Sequence, residues 1–216
     1  MTSRARWSVR ALETILALAA GFMVSVALVD LLPEAIAQHG SRAGLAALAG
    51  FLLVHLTQHT FSAHFHFGEE THPVTASVSA SALVGLLLHT FVDGVAIASA
   101  FEAGPELGVL VWTAVILHKL PEGLAISSLF LAAGAGRRRA LLAATAVGFA
   151  TVVGALTTSV FAPLASYGLG LSAGVTLYVA ASNLVPEFQS KPGWRLPGAF
   201  FLGAAMYAVV RSWLHA

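Results

Sequence analysis

Two stretches of this chain place a histidine and a carboxylate four residues apart in apolar surroundings: His89-Thr90-Phe91-Val92-Asp93-Gly94 and His118-Lys119-Leu120-Pro121-Glu122-Gly123. On an α-helix that spacing stacks both side chains on one face. Two such faces set against each other offer two imidazoles and two carboxylates to a single divalent cation. Mixed nitrogen and oxygen ligation suits Zn2+, Fe2+ or Mn2+ better than Mg2+ or Ca2+, which prefer all-oxygen shells. A carboxylate in a lipid-level interior is costly unless it is neutralised, so Asp93 and Glu122 need a partner. The candidates are His89, His118, Lys119 and a bound cation. Lys119 lies roughly 100° around the helix from His118. Its ammonium either takes a second cation position or offsets surplus negative charge. Pro121 cannot donate to the carbonyl of Leu117, so its helix should kink beside the ligands. One intramembrane His or acid is often only a packed, hydrogen-bonded group. Two such pairs at matching depth argue for a ligand set.

The elements that must position them are membrane spans. Of 216 residues 57% are hydrophobic and 10% charged, with a mean hydropathy of +0.83. Soluble domains carry roughly 25% charged residues, so the chain reads as one polytopic membrane domain over 1–216. The formal net charge of +1 leaves no basic footprint for nucleic acid. Cysteine is absent, which excludes disulfides, thiolate ligands and cysteine nucleophiles. No G-x-x-x-x-G-K-[ST] run occurs, so no ATP-driven step is expected. The basic first ten residues precede an apolar run too long for a signal-peptide core, and we read it as a retained span. About seven spans are expected: 11–37, 44–61, 75–101, 107–133, 140–162, 165–187 and 196–213. A hydrocarbon core of ~30 Å needs ~20 helical residues, which 44–61 only just supplies.

Basic residues orient the bundle. With the N-terminus inside, Arg4, Arg6, Arg10, Arg137, Arg138, Arg139, Lys191 and Arg195 face the cytoplasm. Arg42 and Arg211, with Glu102 and Glu106, fall outside, as does the C-terminus; this is the positive-inside asymmetry. His89 then lies ~21 Å and His118 ~17 Å into their spans at 1.5 Å per residue, near the midplane. The segment Val26-Ala27-Leu28-Val29-Asp30-Leu31-Leu32-Pro33-Glu34 is echoed by Val179-Ala180-Ala181-Ser182-Asn183-Leu184-Val185-Pro186-Glu187. Members of each echoed pair run in opposite directions, which is the mark of an inverted repeat. Asp30 and Glu34 near the outer end could draw cations inward; for Glu34 a water-facing helix end explains as much. Asn183 and Glu187 would be their inner counterparts. His55 and His59 form a further i,i+4 pair, which we read as a metal-capture point. His64, His66, Glu69, Glu70 and His72 follow, and a solvated interface accounts for these histidines equally well. The arginines 137–139 read as orientation signals and lipid-headgroup contacts.

These motifs resemble the ZIP (Zrt/Irt-like) family of divalent-metal transporters over nearly the whole chain. The run His118 to Gly123 is similar to the signature of that family's fifth helix, and His89 to Gly94 to its fourth. Leu31-Leu32-Pro33-Glu34 and Val185-Pro186-Glu187 are similar to the second and seventh. The resemblance implies a primary metal site of His89, Asp93, His118 and Glu122. Family members with a second metal use an Asn after the first His and an Asp after the second; here Thr90 and Lys119 stand there. An ammonium in that place repels a second cation, so a mononuclear site is expected. A sixth-helix acid of such members is also missing, with Thr151 to Val153 in its neighbourhood. Eight spans are usual, and this chain reads as lacking the first. Some members carry a His-Glu pair in the seventh helix where this chain has Ser182-Asn183.

The implied function is a secondary, ATP-independent transporter or facilitator that moves a divalent transition metal into the cytoplasm. Zn2+ is the first candidate, with Fe2+, Mn2+ and Cd2+ behind it. An enzyme is not expected. The competing readings are an intramembrane zinc-dependent hydrolase, with three ligands on the metal and one acid on a water, and a sensor that binds without transporting. Expected partners are the metal, the lipid bilayer and a second copy in a homodimer, with no nucleic acid. The expected setting is a bacterial inner (plasma) membrane.

Overall fold

The computed structural model of the chain describes residues 3–61, 76–189 and 191–214. Among them every regular element is helical. The first rod comprises α1 (Ser3–Val26), a π-helical turn (Ala27–Leu31) and α2 (Leu32–His39). Then come α3 (Ser41–Phe61), α4 (Ala76–Ala103), α5 (Pro105–Ala132) and α6 (Arg137–Val160). A sixth rod joins α7 (Ala162–Tyr178), a second π-helical turn (Val179–Leu184) and α8 (Val185–Gln189), and α9 (Arg195–Leu214) closes the bundle. Each expected span coincides with one of these rods. Four segments are long and apolar enough to cross a membrane: Arg10–His39, Ser79–Ala103, Pro105–Ala132 and Arg137–Val160, with Ser41–Thr57 a shorter apolar helix.

The two π-helical turns share a cause. Pro33 and Pro186 lack the N–H that would close the α-helical ladder, and the preceding turn widens instead. The Leu32 N–H reaches Ala27 O, and the Val185 N–H reaches Ala180 O. These residues stand at one constant offset in the sequence, so the inverted repeat extends to backbone detail.

Helices pair through glycine. A Cβ on Gly21 would fall on Phe200 O and one on Gly203 on Leu18 O, which locks α1 to α9. In the same manner Gly50 meets Leu171 O and Gly174 meets Ala47 O between α3 and α7. Gly94 meets Thr151 O and Gly154 meets Phe91 O between α4 and α6. Backbones this close gain dispersion and Cα–H···O contacts that larger side chains would forbid.

The α1–α9 pair is also tied at both ends. Glu13 accepts from Lys191 Nζ at 2.8 Å and from an Arg195 Nη at 2.5 Å. Asp30 accepts from Tyr207 Oη at 2.5 Å and from Arg211 Nε at 3.0 Å. Start meets start and end meets end, so the two helices are parallel. Phe22, Met23, Val26 and Leu31 pack with Val175, Tyr178 and Val179 in the central core. The outer surface is apolar, with Leu45, Leu141, Phe149, Leu156 and Val209 all more than half exposed, as a lipid-facing bundle requires.

Candidate metal centre

Gly104 reverses the chain between α4 and α5, so the two helices lie antiparallel and present their His–acid faces to each other. Each face holds its i,i+4 pair: His89 Nε2 is 3.6 Å from Asp93 Oδ2, and His118 Nε2 is 3.8 Å from Glu122 Oε1. The pairs also interlock. His89 Nε2 is 2.9 Å from Glu122 Oε1, and His118 Nε2 is 3.4 Å from Asp93 Oδ2. All four side chains are buried, and one ligand atom from each lies within 4.8 Å of the others. The imidazole rings are tilted, with centroids 5.9 Å apart.

The hydrogen bonds around the cluster set its donor atoms. His118 Nδ1 lies 2.7 Å from Ala114 O. A carbonyl can only accept, so Nδ1 carries a proton, which leaves Nε2 as the ring nitrogen a metal could take in place of the proton shared with the carboxylates. His89 Nδ1 has no protein partner. Lys119 supplies the balancing charge. Its Nζ donates to Asp93 Oδ2 at 2.7 Å and to Glu122 Oε2 at 3.1 Å, bridging the two helices. Thr90, its repeat counterpart, is fully buried and bonds to Leu87 O at 3.3 Å. Thr151 Oγ1 of α6 is buried without a protein partner, and among the described residues no acid of α6 joins the cluster.

The other residues singled out in the sequence lie elsewhere. Asp30 is held by Tyr207 and Arg211, and Glu34 accepts from Gln38 Nε2 at 2.9 Å. Asn183 sits half-buried in the second π-helical turn. The exposed His55 packs its ring on Tyr178, and its Nδ1 is 3.3 Å from the Tyr178 hydroxyl. The side chains of His59 and Glu187, and the whole of His64, His66, Glu69, Glu70 and His72, lie outside the described residues. Tyr207 escaped the sequence reading, and Arg211 entered it only as an orientation signal. Their i,i+4 spacing near the end of an apolar helix was the available sign, because it stacks the hydroxyl and the guanidinium on one face, ready for one acid.

The ZIP Zinc transporter family profile matches residues 68–211, which include both motifs and their neighbours through Arg211. The chain belongs to the ZIP family. Zinc transporter ZIP9 of Micropogonias undulatus is 30% identical over 159 residues, covering 67% of this chain and 51% of its own. Zinc transporter ZIP9-A of Xenopus laevis is 29% identical over 157 residues, covering 67% and 52%. Zinc transporter ZIP4 of Mus musculus is 33% identical over 110 residues, covering 50% and 17%. The chain thus spans about half the length of the ZIP9 relatives it matches. Membership agrees with the all-helical bundle and with the donor set, a combination of imidazole and carboxylate that fits a divalent transition metal.

Proposed function

We propose that this chain is an ATP-independent carrier for a divalent transition metal, with Zn2+ as the principal cargo. The ion binds once per chain, at His89, Asp93, His118 and Glu122, and passes inward to the cytoplasm of a cell whose inner membrane holds the N-terminus inside. One observation carries this reading: four buried ligand atoms from two facing helices lie within 4.8 Å of one another. His118 already offers Nε2. The Lys119 ammonium stands between the two carboxylates, and an arriving dication takes over its task of neutralising them. A mobile cation exchanged for a tethered one keeps positive charge beside the two carboxylates throughout, which suits a cargo that must also depart.

Purified protein in zinc-indicator liposomes tests the reading. Inward zinc flux should fall to background in His118→Ala and Glu122→Gln, with helicity and elution volume unchanged. Zinc binding without flux in the unaltered protein would instead mean a sensor. Cleavage of lipid or peptide that depends on zinc would mean a hydrolase.

A further inference from the structure

The Lys119 ammonium is tethered, so an ion that takes the carboxylates must leave it a place within reach of its own stem. The oxygen it holds at 2.7 Å, Asp93 Oδ2, is also the one that faces both imidazoles, 3.6 Å from His89 Nε2 and 3.4 Å from His118 Nε2. An ion that takes this oxygen evicts the ammonium. A buried ammonium has three hydrogens to place, and eviction without new acceptors would be costly.

The acceptors lie on the α6 side of the quartet. α6 covers the seam between α4 and α5: Ala143 and Val147 pack with Leu83 and Leu87 of α4 and with Ile126 and Leu129 of α5. Thr151 is the next residue of the same i,i+4 stripe. The matching step of one turn leads from Leu87 to Thr90 on α4, and from Ile126 back to Glu122 on the antiparallel α5. The glycine crossing fixes the same level independently, because a Cβ on Gly94, next to Asp93, would fall on Thr151 O. Thr151 thus enters the seam at the depth of the carboxylates. Its Oγ1 is buried and has no protein partner, a rare state that calls for a cause. Other hydroxyls of the bundle close on the preceding turn, as Thr113 does on Val109 O at 2.8 Å and Thr158 of α6 on Gly154 O at 3.0 Å. Thr90 is fully buried beside His89, and its hydrogen is committed to Leu87 O at 3.3 Å, which leaves its oxygen free to accept.

We propose that Thr151 and Thr90 are the acceptors of the displaced Lys119 ammonium, positioning residues that make the exchange of one cation for the other reversible. The ammonium moves from the carboxylates toward α6 without leaving the buried seam, and returns when the ion departs. Neutral hydroxyls hold a cation less tightly than carboxylates do, so the return is downhill. The proposal rests on the quartet being the metal site and is independent of the direction of transport.

Calorimetry with zinc chloride on the purified full chain provides the test. Thr151→Val keeps the shape of the side chain and removes the acceptor. Zinc affinity should fall about tenfold, the effect of one lost hydrogen bond to a charged group, and Thr151→Ser should keep it. In a Lys119→Met background there is no ammonium to receive, so adding Thr151→Val should change affinity by less than about twofold. A hydroxyl that served only the fold, or that touched the ion itself, would cost the same in both backgrounds. Thr90→Val, compared in the same two backgrounds, should repeat the pattern and decides the matter should Thr151→Val fail to fold. Unchanged affinity in both valine variants, an equal loss with and without Lys119, or no retention by serine would overturn the proposal. His118→Ala separates it from the reading beneath it. If zinc binding survives that substitution, the quartet is not the site and both fall. If binding is lost there while the valine variants bind like the unaltered protein, the acceptors alone are wrong.

Discussion

At the scale of the residue, the position of Lys119 would set how tightly the proposed site holds a cation. The ammonium lies 2.7 Å from Asp93 and 3.1 Å from Glu122, with only 18% of its side chain exposed. A cation that enters must displace it from both carboxylates. Lys119→Met therefore removes a competitor without removing a ligand. Zinc affinity should rise by about tenfold or more, an effect of roughly 1.4 kcal/mol. Release should slow in proportion, so turnover falls while binding improves. Calorimetry and stopped-flow release measure the two separately, and weaker binding by Lys119→Met would refute the displacement. The quartet itself was legible in the sequence because i,i+4 spacing fixes where short side chains point. For Lys119 the sequence left two places open, a second cation position or a balancing charge, because the Cα angle says little about a charge at the end of a four-carbon stem. Its head curls back into a site that its backbone position faces away from.

At the scale of the element, the first rod and α9 are joined by side chains as well as by glycine. The π-helical turn before Pro33 carries Asp30, which receives the Tyr207 hydroxyl and the Arg211 guanidinium. An outer carboxylate that attracts cations and one that clamps two helices make opposite demands on Arg211. Were Asp30 to serve arriving cations, Arg211→Gln would free it and raise zinc uptake at low concentration. The clamp predicts that Arg211→Gln and Asp30→Asn each lower thermal stability, by about 1–2 kcal/mol for a lost partly buried charged hydrogen bond. The double variant should then cost less than the sum of the two, and the zinc concentration for half-maximal flux should stay put in Arg211→Gln. Here sequence reasoning stopped at the acid. The motif Val26 to Glu34 shows that Asp30 is repeated as Asn183, but nothing within it reveals a partner far along the chain in α9.

At the scale of the whole molecule, hydropathy and short loops made the seven rods legible, and the echoed motifs made the inverted repeat legible. The pairing of rods stayed hidden, because any of the many glycines in apolar helices could have made a crossing. The pairing matters for the proposed transport, since the most direct way for four buried side chains to exchange an ion with both sides is for some helices to slide past others. Pairs held backbone to backbone, α1 with α9, α3 with α7 and α4 with α6, are poor places to slide. The contact of α4 with α7 differs in kind: Gly168 faces the side chains of Val95 and Ser99, and the Ser99 hydroxyl is 3.5 Å from Leu164 O. A Cβ on Gly168 would lie 3.2 Å from that of Ser99, so the two helices need part by only a few tenths of an ångström to reach the ~3.5–4.5 Å of a disulfide. Ser99→Cys with Gly168→Cys should therefore form a bond that pins the ligand-bearing α4 to α7, and oxidation should stop zinc flux reversibly. Glu13→Cys with Lys191→Cys joins α1 to α9, a pair already fixed at both ends, and its oxidation should leave flux nearly unchanged. If the two disulfides instead inhibit equally, sliding of α4 along α7 is not the movement that opens the site.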